Sequence, residues 1–348
     1  MLFFAATIAM DDAPQLTRLI SVPVQASFPS PGESLTRVVE NVSPGFDFHE
    51  VIASWNVKNA ASAALDVEAR ARIQGRATKW YRLGSWSLND RLAPRASYDG
   101  QGDADGDVLT DTFRLKQAGQ SVDLRLTLRT TAAGPTPKLM LVTLSFLRRG
   151  KEPVVPAVAS DAWGKVVDVP QVAQGDYPRG GVLCSPTSLT MVLAHYAART
   201  GREELRKDVP EVESMVWDPV YKGAGNWPFN VAYAGSFDPL RAYVSRFQSI
   251  SDLEKWTAAG FPVICSVSFD LLRGKELSPT EQGHLVVLVG FEKDGTPVFN
   301  DPAWKGAVRR TYARADFDRA WQYSARTVYL VYPEGAKVPA STGSWIAD

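Results

Sequence analysis

The sequence predicts two domains: an all-β sandwich of jelly-roll type over residues 35–150, then an α+β domain over 166–334. Three observations predict it. Residues 35–150 hold short apolar runs, several at period two, set between Gly, Asn, Asp and Pro clusters. GKEPVVPAVASDAWGK, ending at 165, carries prolines and small residues and reads as a linker over 151–165. Beyond it, helical stretches come first and strand-like runs later. A chain of 348 residues is long enough for two domains, each with its own core.

Residues 1–34 read as an N-terminal segment. The apolar run Leu2–Met10 is either the remnant of a secretion signal or an ordinary first strand. In ALDVEARARIQ, Leu65, Val67, Ala69, Ala71 and Ile73 share one face, and Asp66, Glu68, Arg70 and Arg72 share the other. VDLRLTLRT repeats the pattern with Val122, Leu124, Leu126 and Leu128. Period two with one apolar face marks a half-buried strand. VIASWNV, KWYRLGSW and KLMLVTLSFL supply further strands. In the second domain a helix is expected over 185–199, a charged helical stretch over 202–213, and a short helix in SDLEKWTAAG with Ser251 as N-cap. GNWPF, residues 225–229, reads as a loop. FPVICSVSF, HLVVLVGF, PVFND and TVYLVYP read as strands, and 335–348 as a tail.

Composition narrows the function. Lys+Arg and Asp+Glu both total 38, and no basic or acidic block stands out. Nucleic acid and anionic membrane are therefore poor partners, and no apolar run reaches the ~20 residues of a membrane span. Two cysteines, Cys184 and Cys265, exclude a disulfide scaffold and a Cys-rich zinc site. DGQGDADGDVLTD, residues 99–111, looks like a calcium loop, but Gln101 and Thr112 then fall on ligand places they do not suit, and a solvated turn is preferred. Trp55, Trp80 and Trp86 suit either a sugar-binding face or the sandwich core.

The chemistry centres on GGVLCSPTSLTMVLAHYA, residues 180–197. Pro186 fits a first helical turn, which puts Cys184 at the helix N-terminus. Free amides and the positive dipole end there favour a thiolate. His195 lies ~16 Å along the same helix, too far to serve as its base, and His49 belongs to the β domain. His284, opening the strand HLVVLVGF, is the candidate base. In a hairpin with an even loop, Asp301 shares the face of His284 and Asn300 points away; a one-residue bulge would exchange them. Gln174, with Gln171 as rival, could lend an oxyanion donor beside the Cys184 amide. Cys265, among apolar strand residues, reads as a structural thiol or as a disulfide partner of Cys184.

The order Gln, Cys, His, Asp resembles papain-like cysteine peptidases. The phrases VPQVAQGDYPRGGVLCSPTSLTMVLAHYA, GNWPFNVAYA, FPVICSVSF and GHLVVLVGFEKDGTPVFNDP resemble the C39-like peptidase family over about 166–334. The resemblance implies a papain-like fold, with Cys184 as nucleophile, His284 and Asp301 completing a triad, and Gln174 in the oxyanion hole. It implies peptide or protein substrates and a chain that is secreted or at the cell envelope, with the cytoplasm as the alternative; the chemistry needs no metal or organic cofactor, and the sandwich could contact the envelope or carbohydrate. Asn226 and Trp227 are substrate-site candidates on the segment between nucleophile and base. The family usually carries Gly after the cysteine; here Ser185 stands there, where it could narrow the oxyanion hole or cap the helix. A degenerate binding protein and an acyltransferase or amidase using the same site are the alternatives.

Overall fold

The computed structural model describes residues 14–152, 158–281 and 283–347. The apolar run at 2–10 and part of the linker, 153–157, lie outside the described residues. The first domain is built from β1 (Leu16–Ser21), β2 (Ala26–Ser27), β3 (Ser34–Val42), β4 (Phe48–Lys58), β5 (Ala63–Ile73), β6 (Arg76–Ala77), β7 (Tyr81–Trp86), β8 (Gly106–Leu109), β9 (Thr112–Gly119), β10 (Ser121–Thr130) and β11 (Lys138–Arg148). They form two antiparallel sheets. One has the order β1-β11-β4-β9-β8, with β2 also on β11; the other has β3-β10-β5-β6, with β7 also on β5. Leu65 of β5 faces Leu128 of β10, and Leu124 faces Ala69, so the two alternating patterns read in the sequence meet in register and are buried together. A domain starting at residue 35 would omit β1 and β2, both paired with β11. Trp55 and Trp86 fill the core, while Trp80 is half-buried with the Arg70 and Arg125 guanidiniums over its ring.

The second domain contains α1 (Cys184–Thr200), α2 (Val209–Val216), α3 (Trp227–Ser236), α4 (Ile250–Ala258), α5 (Phe269–Leu272) and α6 (Arg314–Gln322). Its sheet has the order β13-β18-β14-β15-β16-β17, with β12 also on β15. The strands are β12 (Lys165–Val166), β13 (Leu240–Arg246), β14 (Val263–Val267), β15 (His284–Phe291), β16 (Pro297–Asn300), β17 (Arg309–Thr311) and β18 (Thr327–Pro333). The charged stretch at 202–213 is not one helix. A 3-10 turn at Glu203–Leu205 is followed by α2, which starts afresh because Asp208 accepts a hydrogen bond from Glu211 N–H and Pro210 suits a first turn. Helix α4 begins one residue before Ser251, and the Asp252 carboxylate reaches back to Gln248 N–H.

GNWPF is not a loop. It starts α3: Asn226 Oδ1 accepts from Phe229 N–H, and Pro228 occupies the first turn. The helix is buried nearly all round, so it shows no amphipathic period. Asn226→Ala is expected to cost about 2–4 kcal/mol of stability through the lost cap and the lost bond to the buried Asp218 carboxylate, read as a lowered midpoint in urea.

Strand β13 is an edge of the second sheet, and the first domain covers it. Ser54, Asn56 and Lys58 alternate along β4 and act as a row of side-chain partners. Ser54 Oγ accepts from Val244 N–H at 2.9 Å. The Asn56 amide accepts from Ala242 N–H and donates to Ala242 C=O, at 3.0 and 2.6 Å. Lys58 Nζ donates to the carbonyls of Leu240 and Phe237. The unpaired edge groups are thereby satisfied without a strand. Glu50 on β4 and Arg246 on β13, both 2% exposed, form an ion pair at 2.6 Å across the same junction. Residues 343–346, expected as a tail, also join the domains. Gly343 C=O accepts from Leu19 N–H and Ser344 C=O from Ser245 Oγ, while Trp345 is buried against Phe247 and Trp256.

Candidate active site

Cys184 is the first residue of α1, preceded by a 3-10 turn at Gly180–Val182. Leu183, at the N-cap position, makes no side-chain cap, so the helix end keeps free amides near the thiol. Ser188 Oγ donates to Leu285 C=O at 3.1 Å and fastens this turn to β15. That strand opens with His284, whose ring lies close enough to the Cys184 thiol for its charge to act on it. Its Nε2 lies 2.7 Å from Asp301 Oδ1, leaving Nδ1 as the nitrogen for the thiol. His284 is 4% exposed and Asp301 fully buried.

Asp301 reaches His284 through two departures from the expected hairpin. Phe291 pairs with Pro297, which makes the connection five residues, odd rather than even. A bulge between Leu288 and Gly290 then shifts the register to Val287 opposite Asn300. Each change alone would turn Asn300 toward His284; together they restore Asp301. Asn300 points away, donating to the Val169 and Pro170 carbonyls and accepting from Arg309.

The sequence gives no sign of Tyr312. Its hydroxyl donates to Asp301 Oδ2, and Trp304 Nε1 donates to the Tyr312 oxygen at 3.1 Å. Asp301 also accepts from Ala303 N–H. Phe269 lies against the His284 ring, with centroids 4.6 Å apart. These groups set the charges. Burial pushes the Asp301 carboxyl up, but the charge and hydrogen bond of His284 and the Tyr312 and Ala303 bonds hold it below its ordinary value. Burial pulls His284 down, yet the Asp301 charge and hydrogen bond, reinforced by Cys184, raise it to about 10. Burial raises the Cys184 thiol, and the His284 hydrogen bond and charge, with the Leu285 and Ser185 amides, bring it below its ordinary value. The arrangement favours a thiolate beside an imidazolium.

Gln174 is buried in a 3-10 turn at Gln174–Asp176. Its N–H donates to Pro302 C=O at 2.9 Å, so it is tied to the residue after Asp301. Its side-chain Oε1 is buried without a hydrogen-bond partner among the described residues. The rival Gln171 spends its side-chain oxygen on Arg309 N–H. Ser185 turns inward: it is 1% exposed, with Oγ 3.0 Å from Tyr329 Oη, and it does not cap the helix. Cys184 and Cys265 are both free thiols, which removes the disulfide alternative, and Cys265 is buried between Val286 and Val328. His195 is a packing residue whose Nδ1 meets Asp168 C=O. Asn226, expected at the substrate, is 1% exposed and its amide is spent on Phe229 N–H and Asp218. Trp227 is half-buried against the core, and its N–H donates to Asp111 of the first domain. In the 99–111 loop, Asp103 meets Tyr81 and Lys79, and Asp105 meets Arg76.

The two-domain plan and this cysteine-bearing α+β domain agree with the comparisons. Residues 166–329 match the Peptidase_C39 like family, and residues 35–146 match the Peptidase C39 N-terminal domain. Residues 166–329 are a domain of the C39-like peptidase family, a family of peptidase-type hydrolases. Among solved structures, it is similar to a candidate C39-like peptidase from Bacillus anthracis, at 21% identity and a TM-score of 0.39, covering 50% of this chain and 99% of that one. It also matches the VP2 subviral particle protein of infectious bursal disease virus, at 14% identity and a TM-score of 0.23, over 39% of this chain and 33% of that one. No curated protein matches it.

Proposed function

We propose that the chain is a papain-like cysteine peptidase acting through Cys184, His284 and Asp301. The observation that carries this is the buried hydrogen-bonded chain of His284, Asp301 and Tyr312, set close to the Cys184 thiol at the N-terminus of α1. The Cys184 thiolate attacks the carbonyl carbon of a peptide bond, and the carbonyl π electrons move to oxygen. His284, protonated at Nδ1, gives that proton to the leaving amine as the C–N bond breaks. An acyl-thioester remains. Water attacks it while His284 takes one of its protons, and the C–S bond breaks to return the thiolate. Asp301 holds the ring by Nε2 and stabilises the imidazolium. The Gln174 amide and the Cys184 N–H are the oxyanion donors in this scheme. The Gln174 backbone, pinned beside Asp301 by its N–H bond to Pro302 C=O, supports placing its side-chain amide there.

Gln174→Ala is expected to lower peptide hydrolysis ~100-fold or more while leaving alkylation of Cys184 by iodoacetamide near the parent rate, since alkylation forms no oxyanion. Paired rate measurements on the two reactions check this. The proposal itself is tested by the pH dependence of Cys184 alkylation, with Cys265→Ala as background. Labelling that stays fast below pH 7 supports a Cys–His pair; labelling that rises only toward the ~8.5 of free cysteine would exclude it.

A further inference from the structure

Three residues of the β domain grip one segment of the peptidase domain, 214–227, which links α2 to α3. The Arg95 side chain, 1% exposed, donates from Nη2 to Ser214 C=O at 2.6 Å and from Nε to Trp217 C=O at 3.0 Å. Ser97 N–H donates to Asp218. At the far end, Asp111, in the β8–β9 turn, accepts from Trp227 N–H at 2.9 Å. Within the segment, the fully buried Asp218 carboxylate also accepts from Val220 N–H, Tyr221 N–H and Asn226 Nδ2. A buried carboxylate satisfied this way fixes the backbone around it.

This segment lies against the approach to the nucleophile. Arg179, five residues before Cys184, pairs with Glu213 and sits over the Trp217 ring at 5.2 Å. Both flanking helices pack on α1. The Tyr221 ring lies on the bare backbone of Gly223, where an added Cβ would come within 2.9 Å of it, and its hydroxyl is 3.2 Å from the corresponding point at Gly225. The Tyr221 hydroxyl is also within charge range of Cys184 and Asp111. Tyr221, Val220 and Val182 are 45%, 37% and 52% exposed. These three side chains are left in water on two segments that the Arg179–Trp217 contact joins.

We propose that the β domain is part of the specificity apparatus: Arg95, Ser97 and Asp111 hold segment 214–227 so that Tyr221, Val220 and Val182 form a subsite beside Cys184 for an apolar or aromatic side chain of the peptide. The inference rests on Cys184 being the nucleophile. Arg95 and Asp111 are positioning residues, and Tyr221 is the specificity-determining one.

The test compares N-acylated phenylalanyl and glycyl chloromethyl ketones as probes of Cys184, with iodoacetamide as a reagent too small to need the subsite. The full-length protein is expected to prefer the phenylalanyl probe by about tenfold or more, the scale of one apolar pocket. Tyr221→Ala, at an exposed ring, should fold and lower the preference several-fold, with the iodoacetamide rate within about twofold of the parent. Arg95→Met should do the same through the released segment, and Asp111→Asn, of equal size, provides a second route to that loss if the methionine variant does not fold. A parent preference near one, or a preference unchanged in Tyr221→Ala or in the folded positioning variants, would overturn the proposal while the catalytic reading stood. A parent thiol that iodoacetamide does not label below pH 7 would overturn the catalytic reading and this one with it.

Discussion

His284→Ala is expected to lower peptide hydrolysis at pH 7 by about a thousandfold, within the range of a lost general acid–base group. The variant loses both the hydrogen bond and the charge that oppose burial of the thiol. Its Cys184 should titrate at or above the ~8.5 of free cysteine, and iodoacetamide labelling at pH 6 should fall at least ~10-fold. The lost thiolate population is larger than that, but a more basic thiolate is also more nucleophilic. The parent protein carries a second signature. The Asp301 charge and hydrogen bond raise His284 to about 10, so hydrolysis should fall as pH rises through that value, because the leaving amine loses its proton donor. Alkylation needs no proton donor and should stay high. Rate profiles for the two reactions on one preparation should therefore coincide on the acid side and part on the alkaline side. Profiles that fell together at high pH would remove His284 from the acid role.

Asp301→Asn should be nearly as damaging, with a loss of ~100- to 10,000-fold. The amide can still accept from Tyr312 or Ala303, but it offers the imidazolium no charge. Burial, the one influence lowering His284, is then unopposed by its main counterweight. NMR titration of the ring should show its pKa dropping from about 10 to its ordinary range or lower. Stability at pH 7 should fall by about 3 kcal/mol, as when one partner of a buried pair is removed. The sign with pH follows from the carboxyl. Its folded pKa lies below the unfolded one, so its stabilisation is present above the unfolded value of ~3.9 and is lost as pH falls through the folded value. Urea midpoints of parent and variant should differ most at neutral pH and converge on acidification. A constant difference down to pH 2 would mean that the carboxylate charge is not what stabilises the pair.

What the sequence disclosed follows from the range of the forces involved. Alternation in 64–73 and 122–130 is local, and the structure buries the faces it marks. The Cys184 turn was readable because Pro186 and the following apolar helix are local signals. Helix α3 was not, because its tertiary setting buries all sides and erases the 3.6 period; only Asn226 and Pro228 marked its start. Tyr312 is a single aromatic eleven residues past Asp301, brought to it by the turn between β16 and β17. An even loop without a bulge puts Asp301 on the face of His284. The structure has an odd loop and a bulge, two errors of register that cancel. Strand β1 lies outside the expected sandwich because its partner β11 is about 125 residues away, a pairing no local pattern announces.

The fastening at 343–346 bears on how the protein is made. Synthesis runs from the N-terminus, and domains fold as they emerge. Leu19 lies in β1, the first strand among the described residues, yet the carbonyl that receives its amide belongs to Gly343. The two sheets of the first domain and the cysteine-bearing helix can thus be complete while the clasp across the domains is still inside the ribosome. Until Trp345 emerges and covers Phe247 and Trp256, the junction that β4 makes with β13 lacks its outer seal. Any chain stopped short of that point would carry the nucleophile and base without the clasp that fastens the two domains together.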